Sequence, residues 1–144
     1  MIRTLSILLT LFAPVAACLA SPEEALTKLE DAYRAGDIEA AVAAKDFQTE
    51  GHLMLMDMNP ELADDVELIA QTAEILELAF RKEIAESGFP NFDGIECSVV
   101  SQEDVSRGLV IAEEKCVFPD GGHSLQKILI SNTNGSWRVV GVRD

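Results

Sequence analysis

Basic residues are scarce in this chain of 144: Lys and Arg total 11 against 25 Asp and Glu, a formal net charge of −14. A surface so short of cations excludes nucleic acid and anionic lipid as partners, since both need positive charge facing them. There are only two histidines. His123, following Asp120-Gly121-Gly122, has no sequence-near serine or cysteine in a recognisable elbow, so no nucleophilic triad is built and it reads as a solvated turn residue. No glycine loop cradles phosphate, and no basic patch occurs. Asp64-Asp65 and Asp93 lack the spacing of a calcium loop. No cofactor is expected.

One long apolar run is present, at the start. Arg3 supplies a positive flank, Leu5 to Ala17 is almost unbroken, and Cys18-Leu19-Ala20 puts small residues three and one before a cleavage point. The run is too short to span a bilayer permanently. Residues 1–20 therefore read as an export signal, and the working protein, periplasmic or secreted, begins near Ser21. Val15-Ala16-Ala17-Cys18 also resembles a lipobox, so the alternative is a lipoprotein anchored at Cys18, the one route to a membrane. With Cys18 lost or lipidated, Cys97 and Cys116 remain as an even pair. In an oxidising compartment such a pair reads as a disulfide.

Residues 21–144 suit one domain with one core. Ser21, Pro22 and Glu24 give a helix start with a capping box, and Leu26, Leu29 and Tyr33 form an apolar stripe over 22–35. Gly36 ends that helix and Asp37 caps a short one, 38–45. Residues 46–58 show no clean period. Asn59-Pro60 opens a long helix over 60–87, which Gly88 and Pro90 close; Asp64-Asp65 favours its start through the helix dipole. The period then changes to that of strands, at 95–101, 109–118, 123–131 and 136–143. Short turn-like links, Asn134-Gly135 among them, imply an antiparallel meander, and the fold class is α+β.

A first hairpin turning at Ser106-Arg107 places Cys97 opposite Cys116, close enough to bond in a non-hydrogen-bonded pair. A second turn centred on Asp120-Gly121 places Glu114 opposite Lys127. This register sorts the sheet into two apolar faces. One carries Ile95, Val99, Ala112, Phe118, Leu125, Leu129, Val140, Val142 and the disulfide. The other carries Leu109, Ile111, Val117, Ile128, Ile130, Trp137 and Val139. Helices can cover one face. The second needs a partner subunit, a ligand or a wrapped helix, which makes Ile111, Ile128, Ile130, Trp137 and Val139 candidate interface residues.

Tyr33-Arg-Ala-Gly-Asp37-Ile-Glu-Ala-Ala41 and Asn134-Gly-Ser-Trp-Arg-Val-Val-Gly141, in this order of helices and strands, resemble the nuclear transport factor 2-like superfamily over roughly residues 21–144. The resemblance implies a cone in which helices line a pocket against a concave sheet, with dimerisation through the sheet in many members. It chooses no function, because that superfamily holds isomerases, hydrolases, dehydratases and binding domains. In its ketosteroid isomerase branch a helix-one tyrosine donates to an oxyanion while an aspartate moves the proton. Tyr33 with Asp46 or Asp57 would fill those parts here. The competing account is a packed core tyrosine.

His52-Leu-Met54-Leu-Met56-Asp-Met58 is the most unusual local composition, since thioethers plus an imidazole are soft ligands suited to Cu(I). Alternation on a strand would put these four on one face, whereas a helix would scatter them. Methionine is equally a filler of irregular cores. The first reading is an exported, non-enzymatic α+β domain binding a hydrophobic small ligand or a protein partner, with a sheet-mediated homodimer as one form. The alternative is an isomerase or hydratase-type enzyme. Reducing Cys97–Cys116 should destabilise the domain only modestly, because the closed loop is short and the hairpin already joins its ends. A thermal melt with and without dithiothreitol checks this, and loss of the fold on reduction would contradict it.

Overall fold

The computed structural model describes residues 20–133 and 135–143, and its elements begin where local chemistry dictates. Residues 1–19 of the expected export signal, Cys18 among them, and Asn134 of the last turn lie outside the described residues. Helix α1 runs Pro22–Ala35, with proline at its first position and Gly36 at φ 64° closing it. Ser21 occupies the cap position, but its hydroxyl makes no capping bond, so the expected capping box is not formed. Glu24 instead donates its N–H to the Ser21 carbonyl at 3.1 Å and pairs its carboxylate with Lys28 at 2.9 Å. Asp37 caps α2 (Ile38–Ala43) by accepting from Ala40 N at 3.0 Å.

The ambiguous residues are a helix, α3 (Phe47–Met58). It packs on α4 (Val66–Ser87) through the absence of a side chain rather than through an apolar stripe. A Cβ at Gly51 would sit 3.3 Å from the Ala73 nitrogen and the Ile69 oxygen. Leu55 and the Phe47–Phe80 ring contact, 5.8 Å between centroids, extend that seam. Asn59 and Pro60 start only a 3₁₀ turn, Pro60–Asp64; α4 begins at a second cap, where Asp65 accepts from Leu68 N at 3.0 Å. The expected 60–87 helix is therefore two elements.

Four strands follow: β1 (Glu96–Ser106), β2 (Leu109–Val117), β3 (His123–Ser131) and β4 (Arg138–Arg143), in an antiparallel meander of order β1-β2-β3-β4. Among the described residues no helix is long and apolar enough to cross a membrane. Cys97 and Cys116 are direct partners joined in a disulfide, with Cα atoms 4.0 Å apart. The route to that pairing differs from the expected one. The turn is Arg107-Gly108, between paired Ser106 and Leu109, with Gly108 at φ 77°. An unbroken ladder from there would place Cys97 opposite Phe118. Register shifts at Val100 and Val105 each insert one residue into β1, and together they bring Cys97 back to Cys116.

The second hairpin corrects the expected faces. Its loop, Phe118–Gly122, is centred on Asp120: Phe118 N donates to Gly122 O at 2.8 Å, and Asp120 Oδ1 accepts from Gly122 N at 2.8 Å. Glu114 therefore opposes Gln126, and Lys127 opposes Glu113. A slip of one residue moves a whole strand to the other face. Ala112 pairs with Ile128, and both join Ile130, Val139, Ala25 and Leu26 in the buried core beneath α1, with Leu29, Val99 and Trp137 packed against it. Ile128, Ile130 and Val139 are thus interior and unavailable as an interface, and Trp137 is partly buried with them. Ile111 alone of the five lies on the opposite face, where the register sets Leu109, Val117, Leu125 and Leu129 among the charged Glu113, Lys115 and Lys127.

One buried carboxylate joins the helices to the sheet. Residues 44–46 run parallel to β4: Val139 N donates to Ala44 O at 2.9 Å, and Asp46 N donates to Val139 O at 2.8 Å. Asp46, 1% exposed, caps α3 by accepting from Thr49 N at 3.0 Å. It also accepts from Thr49 Oγ1 at 2.8 Å, from Thr133 Oγ1 at 3.2 Å and from the Ser131 hydroxyl. Burial by itself pushes a carboxyl up. Here the hydrogen bonds of Ser131 and Thr49 and the charge of Arg138 outweigh it, holding Asp46 below its ordinary 3.8.

Asp46→Ala strands those donors and should cost about 3 kcal/mol. Asp46→Asn keeps a good cap but removes the charge, and should cost roughly 1–2 kcal/mol. Because the folded carboxyl titrates below the unfolded one, its stabilisation is complete above the unfolded value near 3.8 and is lost as pH falls through the lower folded value. Urea denaturation across pH should show the wild type and Asp46→Asn converging in acid. A constant gap would contradict the assignment.

Candidate functional site

One face of the sheet and α1 border a cleft of about 320 Å³. Its apolar walls come from Leu26 and Leu29 of α1, Ile128 of β3, Val139 and Val142 of β4, and Phe92 from the segment after α4. Helical spacing brings the leucines to one face of α1, and strand alternation brings Glu114 of β2 and Gln126 of β3 onto the same face as Ala112 and Ile128. Tyr33, Lys45 and Glu30 complete the polar lining.

Each polar group has a distinct setting. Lys45 reaches the cleft because residues 44–46 lie along β4. Its ammonium is 3.4 Å from Val140 O and 3.7 Å from the Glu50 carboxylate, and sits 5.3 and 5.4 Å from the ring centres of Phe47 and Phe80. Glu30 accepts from Arg34 Nε at 2.9 Å, and Arg34 also donates to the carbonyls of Phe92 and Ile95 at 2.9 and 3.0 Å, fixing the wall behind Phe92. Glu114, 8% exposed, accepts from Gln126 Nε2 at 3.0 Å. The same carboxylate oxygen lies 3.7 Å from Cys116 Sγ.

Tyr33 stacks on Phe92, with ring centres 6.2 Å apart and planes at 15°, and meets Phe89 at 6.2 Å. Burial first, then the negative charge of Glu83, raises its hydroxyl above the ordinary 10. Tyr33 is therefore both a packing residue and a cleft-lining donor. The pairing expected for an isomerase is not assembled. Asp46 is fully buried with its oxygens engaged, and Asp57 lines a different cavity with Glu50, Met54, Met58 and Val140. The carboxylates that share the cleft with Tyr33 are Glu114 and Glu30.

The methionine cluster is scattered by α3. Met54 and Met58 share one side and line that second cavity, while His52 and Met56 fall about half a turn away. The four expected soft ligands therefore do not converge. Among the described residues, one group of His, Cys, Asp and Glu is close enough to share a cation, Cys97, Glu114 and Cys116, and both sulfurs are taken by the disulfide. His123 opens β3 as an exposed residue beside the turn, and Asp93 lies in the bend before β1.

Glu114, Gln126, Lys45 and Phe92 are the site residues that sequence reasoning missed. For Glu114 a signal existed. Ala112, Glu114 and Cys116 alternate along one strand, so a carboxylate had to share the face of the disulfide and the small core alanine. No family model matches the chain, and neither a curated protein nor a solved structure matches it.

The chain has one tyrosine, so its alkaline ultraviolet titration reports Tyr33 alone. The folded protein should titrate above 10, and denaturant should bring the midpoint back toward 10. A folded midpoint at or below the denatured one would contradict the half-buried, Glu83-facing placement.

Proposed function

We propose that this protein is an exported, non-enzymatic domain of nuclear transport factor 2-like type that holds one small apolar ligand between α1 and the concave sheet. The observation that carries the reading is the cleft itself: about 320 Å³, walled by Leu26, Leu29, Phe92, Ile128, Val139 and Val142, with a few polar groups at set positions. Ligand sites have this composition, mostly apolar with sparse polar groups that fix orientation. The family resemblance points to the same place, a pocket between helices and sheet.

Export is supported by the N-terminal signal pattern and by the Cys97–Cys116 disulfide, which persists in oxidising compartments. Binding without catalysis is supported by the settings of the polar groups. Lys45 is occupied by Glu50, Glu30 is occupied by Arg34, and neither aspartate considered for proton transfer reaches the cleft.

A neutral apolar fluorophore, N-phenyl-1-naphthylamine, should bind saturably with one site per chain. Val142→Trp at the exposed rim and Leu29→Trp on the wall should each weaken it by about tenfold or more through lost volume, with far-ultraviolet circular dichroism unchanged. Val142 is 64% exposed, so the first variant tests the cleft with little risk to the core. Unaltered affinity in both folded variants would place the fluorophore elsewhere and refute the reading.

A further inference from the structure

The most unusual group in the cleft is Glu114. It is 8% exposed, and Gln126 is its one hydrogen-bond donor from a side-chain amide. Among the described residues no lysine or arginine forms an ion pair with it. Buried carboxylates are ordinarily matched by a cation or by several donors, because taking the charge out of water is costly. Asp46 shows what matching looks like in this same protein, with backbone and hydroxyl donors converging on both oxygens. Glu114 has no such shell.

Lys45, which lines the cleft, and Arg34, which braces Phe92, are both committed to other partners. Lys45 is held by Glu50, by Val140 O and by two aromatic rings; Arg34 is held by Glu30 and by two backbone carbonyls. On its other side Glu114 borders a second cavity of about 260 Å³, lined also by Glu23 and Glu30. Glu114 thus borders open volume on both sides, while the walls of the cleft are largely apolar and include the stacked rings of Tyr33 and Phe92. Aromatic faces and a carboxylate together suit an organic cation.

We infer that the ligand of this cleft is an alkyl or aryl amine, whose apolar body lies against Leu26, Leu29 and Ile128 and whose ammonium is received by the Glu114 carboxylate. The inference rests on the reading of the cleft as a binding site and specifies the chemical class that site selects. The ammonium supplies the donors that the protein leaves out, and the site rejects a fatty carboxylate because it would face Glu114 while Lys45 stays bound to Glu50. Gln126 orients the carboxylate and offers its amide oxygen to a further ammonium hydrogen.

The test is isothermal titration calorimetry of the oxidised protein at pH 7 and 150 mM salt with three probes of one chain length: decylamine, decanol and decanoate. Decylamine should bind at least tenfold tighter than decanol, and decanoate weakest. Glu114→Gln should reduce decylamine to the affinity of decanol while leaving decanol unchanged. Glu103→Gln, which removes an exposed charge from β1, should leave the preference intact and so separates local recognition from the overall negative charge. Decanol binding as tightly as decylamine, or a preference that survives Glu114→Gln, overturns the inference while the cleft reading stands. Failure of all three probes to bind overturns both.

Discussion

Asp46 is the point on which the rest of the architecture turns. A meander and a helical hairpin are separately marginal units, and each must bury a face against something. In this chain the two meet where residues 44–46 run along β4. The Asp46 side chain makes that strip do two tasks at once. Its Oδ1 caps α3, and its Oδ2 takes hydroxyls from β3 and from the turn after it, so the helix start is fastened to the sheet by one group. The charge is what makes this strong, since ionised acceptors form tighter hydrogen bonds and tolerate burial only when they are satisfied.

That fastening also sets the cleft. Strand alternation sends Asp46 toward Ser131 and Arg138 on one side and therefore sends Lys45 to the other, into the lining of the cleft under α1. Lys45 is then near Glu50 on α3 and Phe80 on α4, so the second helical layer holds in place a residue that lines the cleft. On the far edge, two inserted residues in β1 increase the local bend and leave Val100 and Val105 outward. The register shift in β4 acts at the other edge.

What the sequence reveals follows from how far each inference must reach. Periodicity and capping are local, and α1, α2 and all four strands were legible from them. Pairing across a turn is not local: it depends on loop geometry to the single residue. The disulfide pairing was right although its turn was misplaced by one, because the two inserted residues at Val100 and Val105 offset the difference. The second turn had no such offset, and the one-residue difference exchanged the faces of Ile128 and Ile130, turning core residues into a supposed interface. Helix α3 was hidden for another reason. Its seam with α4 is built at Gly51, where backbones approach, and close approach leaves no hydrophobic period to read. Asp46 illustrates the same limit, since a helix cap is legible while its partners, 85 and 87 residues away, are not.

The contrast between the two buried carboxylates separates structural work from functional work. Both sit on strand-like backbone within one small domain, and both are removed from water. Asp46 is surrounded by donors from three segments, so its charge is used up in holding the fold. Glu114 borders empty volume on both sides and receives one amide. A folded chain gains nothing from leaving an ionisable group short of partners in its interior. A hydrophobic residue of similar size would pack there without the desolvation cost. Retaining an acid at that position makes sense when something outside the chain completes it. In a protein with an acidic exterior, cations are concentrated at the surface, and the cleft gives one with an apolar body a place to leave water.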